Sequence, residues 1–211
     1  MKKDASTYGW YALKIFFNKV FAIEEMMALK GVETYIPAVK VEVKGEEYLR
    51  LRAAMQRDGA TAPDDRRYLF EDPRIFRRVP LVRSLMFLRC QGKDIKKLRY
   101  DIGDRGFVYL KSDGKTPAVI PDREMAIFRL VADSEETGLT FYQGDPMTRF
   151  KEGVRVRVKE GPLKGAEGYI KRIKRDRRLL VAIEGVVAVA TAFIPPENLE
   201  PVPETPEETS F

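Results

Sequence analysis

Residues 10–16 of the 211-residue chain are aromatic and β-branched enough for a first strand. Asn18 reads as a helix N-cap and Gly31 as a C-terminal stop. Between them Val20, Ile23 and Met27 recur at helical spacing, with Ala22, Met26 and Leu29 widening the apolar stripe. Residues 34–43 return as a strand, whose Pro37 suits an edge or bend. Residues 84–90 form another strand, and Ile95, Leu98 and Ile102 mark a short helix. Brief strands over 107–110 and 118–120 follow. Asp122 then caps a helix over about 123–133 with Met125, Phe128 and Val131 inward.

After residue 150 the period changes to two. Val154, Val156 and Val158 fall on one side of a strand, Arg155 and Arg157 on the other. Gly161-Pro162 turns the chain, and Gly165 and Gly168 supply positive φ or close backbone approach. Further β-branched runs cover 169–173, 179–183 and 186–193. Short strands with sharp turns over about fifty residues make a small β-barrel. The expected architecture is α+β: an antiparallel sheet with covering helices over 8–134, then the barrel over 149–200.

Three stretches fit no element cleanly. Residues 44–78 are highly charged yet nearly balanced in sign. There Leu49 and Leu51 allow a hairpin across Lys44-Gly45, while Tyr48, Leu51 and Met55 allow a helix. Residues 58–65 read as a flexible loop, and a solvated excursion is the expectation. Residues 135–148 carry Gly138, Gly144 and Pro146 and read as an interdomain linker. Residues 201–211, rich in Pro and Glu, read as a disordered acidic tail.

Composition narrows the chemistry. The hydrophobic fraction is 44%, the net charge +6, and the only thiol is Cys90. The absence of histidine removes His-based acid/base catalysis, Ser-His-Asp and Cys-His triads, and His/Cys zinc sites. One cysteine forbids an internal disulfide, which fits a reducing compartment. Cys90 lies in an apolar run and reads as a buried small hydrophobe. The basic balance suits a nucleic-acid surface without proving one. Lys14, Asn18 and Lys19 interrupt any signal-peptide core, and Glu184-Gly185 breaks the most apolar window, 179–194. The expectation is a cytoplasmic monomer that needs no cofactor or metal and is not an enzyme.

The stretch from Gly153 through the Val/Arg alternation to Gly161-Pro162, Gly165 and Gly168 resembles the KOW motif of ribosomal and transcription factors. Upstream, Trp10-Tyr11, the strand at 33–39, and the run from Asp104-Arg105-Gly106-Phe107-Val108 to Pro117-Ala118-Val119-Ile120-Pro121 resemble the N-terminal domain of the NusG family. The likeness implies an NGN-like domain followed by a KOW (SH3-like) barrel. Where general NusG proteins have a Phe-Pro-Gly-Tyr-like sequence, this chain has Val82-Arg83-Ser84-Leu85, and its insertion at 44–78 is longer than usual. Both departures are similar to specialised paralogues such as RfaH and polysaccharide-operon antiterminators.

The resemblance implies a transcription elongation and antitermination factor that grips the clamp helices of RNA polymerase and suppresses pausing or termination. Val82, Leu85 and Phe87 match the apolar gripping surface, with Tyr35 and Ile36 as neighbours. Burial at about 25 cal/mol per Å² could anchor a standard interface there. The alternative for these side chains is core, and since a strand has two faces about half of them are expected there. Lys14 and Lys19 match positions facing upstream or non-template DNA, where phosphate contacts position a protein without reading sequence. In the barrel Arg155, Arg157, Lys171, Arg172, Lys174 and Arg175 form an outward basic set. That set could touch RNA, ribosomal protein S ten or Rho, or serve only solubility. The alternative is a KOW-type RNA-binding or ribosome-associated protein without polymerase contact. It requires exposed aromatics on the basic barrel face, where Tyr169 is the one candidate. RfaH-like proteins can refold this domain as helices, but the density of Val and Ile over 179–189 favours strands here.

Overall fold

The chain folds into two units, Met1–Leu110 and Lys111–Phe211. The structure is a computed structural model that describes residues 8–57, 65–134, 136–144, 153–173 and 176–203. Among these the chain is mixed α/β, with four α-helices and several antiparallel sheets. None of the helices is long and apolar enough to cross a membrane.

Unit 1 is built on β1 (Tyr8–Ile15) and β6 (Leu85–Gln91), paired antiparallel from Tyr8↔Gln91 to Lys14↔Leu85. With β2 (Glu33–Tyr35) and β7 (Gly106–Val108) they make a sheet in the order β2-β6-β1-β7. One face presents Tyr11, Leu13, Ile15, Met86, Leu88 and Val108. Onto it pack Val20, Ile23 and Met27 of α1 (Val20–Ala28) and Ile95, Leu98 and Ile102 of α3 (Ile95–Ile102). Val20, Ile23 and Met27 and the α3 stripe are thus core, whereas Ala22 and Leu29, read as widening the first stripe, are exposed, Leu29 at 85%. Cys90 belongs to the same cluster, and burial, helped by the charge of Asp94, pushes its thiol up to about 12. It is no nucleophile at neutral pH.

The helix ends differ in part from expectation. Gly31, at φ +69°, closes α1: its N–H donates to the Ala28 carbonyl and that of Val32 to the Met27 carbonyl. This paired pattern satisfies the last carbonyls. Asn18 is not the N-cap. Lys19 holds that position without a side-chain bond, and Asn18 sits in the left-handed region at φ +54°.

The charged insertion is an ordered second layer. β3 (Ala38–Glu42), β5 (Arg74–Pro80) and β4 (Tyr68–Glu71) form a sheet in that order, joined by α2 (Gly45–Arg57). The helical option for residues 45–57 therefore holds. Leu51 of α2 packs on Val43 and Ile75, with Tyr48, Tyr68 and Phe70 around them. The hairpin of β4 and β5 was hidden because arginines interrupt its apolar alternation. Most of the loop expected at 58–65 lies outside the described residues.

Unit 2 contains β8 (Val119–Ile120), α4 (Asp122–Ala132) and a six-stranded sheet. The sheet strands are β9 (Thr140–Gln143), β10 (Arg155–Val158), β11 (Glu167–Ile173), β12 (Asp176–Ile183), β13 (Val187–Phe193) and β14 (Leu199–Pro201). Their order is β14-β10-β11-β12-β13-β9. Residues 179–183 and 187–189 lie in strands, as propensity suggests, with a turn between them. Val156, Val158, Leu179, Val181, Ile183, Val187 and Val189 are all buried. By register they share one face. Leu180, Ala188 and Ala190 make a second cluster on the other, joined by Tyr142.

Two boundaries differ from the expected ones. β9 falls within the stretch read as linker and pairs with β13 from Val187↔Gln143 to Ala190↔Thr140. Four residues are too few to show a period, and Gly138 and Gly144 beside them mimic loop composition. α4, expected with the first domain, belongs to unit 2, where it packs on β12 and β13. It begins at Asp122 rather than after it; Pro121 is the cap residue, and Asp122 and Glu124 place negative charge at the positive helix end. At the C-terminus Val202 donates to the Arg155 carbonyl, so the sheet reaches into the expected tail; residues 204–211 lie outside the described part.

Gly168 exists for space rather than for φ. A Cβ there would stand 2.4 Å from the Leu180 carbonyl oxygen, backbone that cannot step aside. Gly168→Ala is expected to cost about 2–3 kcal/mol through this overlap. Urea unfolding of the full chain followed by circular dichroism reads it; an unchanged midpoint would show that β11 and β12 separate freely.

Candidate nucleic-acid interface

The first strand ends in a turn that a phenylalanine has little reason to make. Lys19 N–H donates to the Phe16 carbonyl at 3.2 Å, and the two residues between, Phe17 and Asn18, have φ of +59° and +54°. Asparagine tolerates that region; a bulky L-residue there is strained by about 1–3 kcal/mol. The strain turns Phe17 outward, 77% exposed.

Phe17 begins a row of rings. Its centroid is 6.1 Å from that of Phe16, Phe16 is 5.9 Å from Phe107, and Phe107 is 5.5 Å from Tyr109. These are ordinary spacings for tilted and edge contacts. Arg105 fixes the support: its carbonyl accepts from Phe16 N–H, and its guanidinium donates to the carbonyls of Ile102 and Asp101 at the end of α3. Phe107 also lines a cavity of about 370 Å³ with Lys96, Arg99 and Tyr100 of α3, and Tyr100 is the most exposed aromatic ring among the described residues, at 87%.

Cations frame the row. Lys14 pairs directly across from Phe107, Lys19 closes the strained turn, and Lys96 and Arg99 line the cavity. Among the described residues none of these four has a carboxylate partner. The two lysines singled out from sequence are thereby joined to rings and to two further cations. The missed signals were the Phe16-Phe17 pair running past the strand end and the alternation Phe107-Val108-Tyr109. Exposed rings beside unpaired cations can stack bases and hold phosphates.

The apolar set named from sequence is differently placed. Val82, Leu85, Phe87, Tyr35 and Ile36 are all buried, none more than 8% exposed. Ile36 is part of the helix-covered core. Leu85 and Phe87 alternate with the core residues Met86 and Leu88 and so point to the opposite face, where the rings of Tyr35 and Phe87 lie 6.0 Å apart. A strand apolar on both faces reads alike whether it is buried or waiting for a partner.

The basic set expected on the second unit is not one outward face. Arg157 donates to Glu167 at 2.7 and 2.9 Å and also reaches Glu200 at 3.3 Å. Arg155, mostly buried, lies 3.5 Å from Glu167, and Arg123 of α4 donates to both its oxygens at 2.8 Å. Lys171 is buried with its ammonium 5.7 Å from the Tyr169 ring, while Arg172, next in the strand, is exposed on the other side. Lys174 and Arg175 lie outside the described residues. The organising residue, Glu167, went unnoticed as one acid among many cations.

The sequence matches no family model. It matches no curated protein. One similar solved structure is "Domain interaction in Thermotoga maritima NusG", at a TM-score of 0.42 and 17% identity, covering 95% of this chain and 100% of that one.

Burial alone would raise the Glu167 carboxyl, but the hydrogen bonds from Arg157 and Arg123 outweigh it and hold the group below its usual value. Its contribution is therefore present above the unfolded value, about pH 4.3, and fades as pH falls through the lower folded value. Glu167→Gln, which leaves arginines facing a neutral amide, is expected to cost about 3 kcal/mol at pH 7. The gap between variant and wild type should narrow steadily below about pH 4. Denaturant unfolding at pH 7 and pH 3 measures both, and a pH-independent gap would remove the charge from the account.

Proposed function

We propose that this chain is a transcription elongation and antitermination factor of the NusG kind, a specialised paralogue that docks on the clamp helices of RNA polymerase. Its action is by contact, without covalent chemistry. The row Phe17, Phe16, Phe107 and Tyr109, flanked by Lys14, Lys19, Lys96 and Arg99, faces upstream or non-template DNA. One observation carries this reading: a strained, exposed phenylalanine set among cations with no carboxylate of their own. The sequence likeness to NusG proteins in both halves, in the right order, supplies the polymerase. The apolar residues Tyr35, Leu85 and Phe87 are buried, so engaging polymerase through them requires that face of the sheet to open.

The second unit carries the contact with ribosomal protein S ten or Rho. A KOW-type RNA-binding protein without polymerase contact is the weaker reading. Its basic face would have to be free, whereas Arg155 and Arg157 are committed to Glu167 and the Tyr169 ring already carries Lys171.

Wild-type protein is expected to co-sediment with purified RNA polymerase elongation complexes and to raise read-through at a pause. Phe17→Ala/Tyr100→Ala should keep polymerase binding, lose the read-through effect and weaken binding to single-stranded DNA by about tenfold to a hundredfold, two stacked bases being lost. The salt dependence of wild-type DNA binding should have a log–log slope of about −3, from four cations. Failure to bind polymerase while RNA or ribosomes are captured would overturn the proposal in favour of the RNA-binding reading.

A further inference from the structure

β3 lies at one end of the insertion sheet, with only β5 paired to it among the described residues. Four of its five residues are exposed: Val39 and Val41 are 43% and 42% open, and Val79, across from Val39, is 36% open. α2 covers the continuation of this face at Val43 and Ile75 but leaves the three valines bare. An open edge with β-branched residues is a template for another strand unless something blunts it.

The backbone phase of that edge is fixed. Val43 donates its N–H to the Ile75 carbonyl at 2.8 Å, so the odd residues of β3 bond inward to β5. The N–H and C=O groups of Lys40 and Glu42 therefore point outward. The side chains from Val39 to Val43 read Val-Lys-Val-Glu-Val, a polarity pattern symmetric about Val41 except that the charges on the two sides are opposite.

We infer that β3 pairs with β3 of a second copy of this chain, antiparallel about Val41, joining two three-stranded sheets into one of six. In that register Lys40 and Glu42 of the two chains are the outward-bonding pairs and exchange their backbone bonds twice. The ammonium of each also lies opposite the carboxylate of the other. Val41 meets Val41 as the close, non-hydrogen-bonded pair, with Val39 against Val43 on either side. Centring on Lys40 would set two ammoniums opposite each other, and centring on Glu42 two carboxylates. Charge thus selects one register, and the contact is isologous, as a closed dimer requires. The exposed pairs that Lys40 makes with Glu71 and Glu42 with Lys44 are lightly held and can exchange. This replaces the expectation of a monomer and is independent of what the chain binds elsewhere.

Sedimentation equilibrium of the full chain over about 5–500 µM tests it, dimerisation being concentration-dependent. Wild type should shift from monomer to dimer across that range. Lys40→Glu and Glu42→Lys, each placing like charges in both pairs, should stay monomeric with unchanged circular dichroism. An equal mixture of the two variants should dimerise again, and so should the double variant Lys40→Glu/Glu42→Lys. A wild type that stays monomeric, a dimer that survives both single reversals, or a mixture that fails to recover would each overturn the inference.

Discussion

The ladder between β1 and β6 is the constraint from which the first unit follows. Seven consecutive pairs, Tyr8↔Gln91 through Lys14↔Leu85, leave no slack for a slipped register. A slip by one residue would turn Leu13 and Met86 away from α1 and α3 and put Lys14 into that core. Because the pairing runs to Lys14, the chain must leave the sheet at Phe16. Its N–H is caught there by Arg105, and the turn has to close within two residues. The left-handed Phe17 is thus a consequence of where the ladder ends. The exposed ring is held by the same geometry that seats the core.

The second unit depends on a different kind of contact. α4 lies over β12 and β13, and its Met125, Phe128 and Val131 are buried, each worth about 2 kcal/mol on leaving water. That apolar contact can slide; Glu167 makes it specific. Its carboxylate receives arginines from α4 and from β10, so the helix and the strand are located against one buried charge. Arg123 is largely exposed, and its bond is the weaker member for that reason. Arg155 is sheltered from solvent and, without Glu167, would be a buried cation with one partner fewer.

Much of this was legible from residues alone, where burial and period coincide. Val20-Ile23-Met27 and Ile95-Leu98-Ile102 each had one apolar stripe to place, and in the Val/Arg alternation Val156 and Val158 had one face to bury, while Val154, ahead of the strand, is 64% exposed. Legibility failed where one pattern serves two environments. Leu85 and Phe87 are apolar in a strand apolar throughout, and nothing in composition separates a packed ring from a docking ring. It also failed where the deciding partner is distant: Glu167 is ordinary in sequence until Arg123, forty-four positions away, arrives beside it. Asn18 illustrates a third cause. Its preference for caps and its tolerance of left-handed φ both follow from a short polar side chain, and sequence offers no way to choose between them.

The distribution of charge connects these observations. A net charge of +6 in a chain with 38 basic residues says little about where a polyanion would sit, since a number of the described cations already face carboxylates. In the insertion Lys40, Arg52, Arg67, Arg77 and Arg78 are paired, and in the second unit Glu167 alone engages three arginines. A paired cation has already given its field to a neighbour and offers a polyanion less. Lys14, Lys19, Lys96 and Arg99, which have no such partner among the described residues, lie instead beside Phe16, Phe17, Phe107 and Tyr100, and no acid lines the cavity there. Rather than on the arginine-rich strands, where Arg155 and Arg157 already face Glu167, the proposed nucleic-acid surface therefore lies at the end of the first strand. There strain, exposure and uncompensated charge meet.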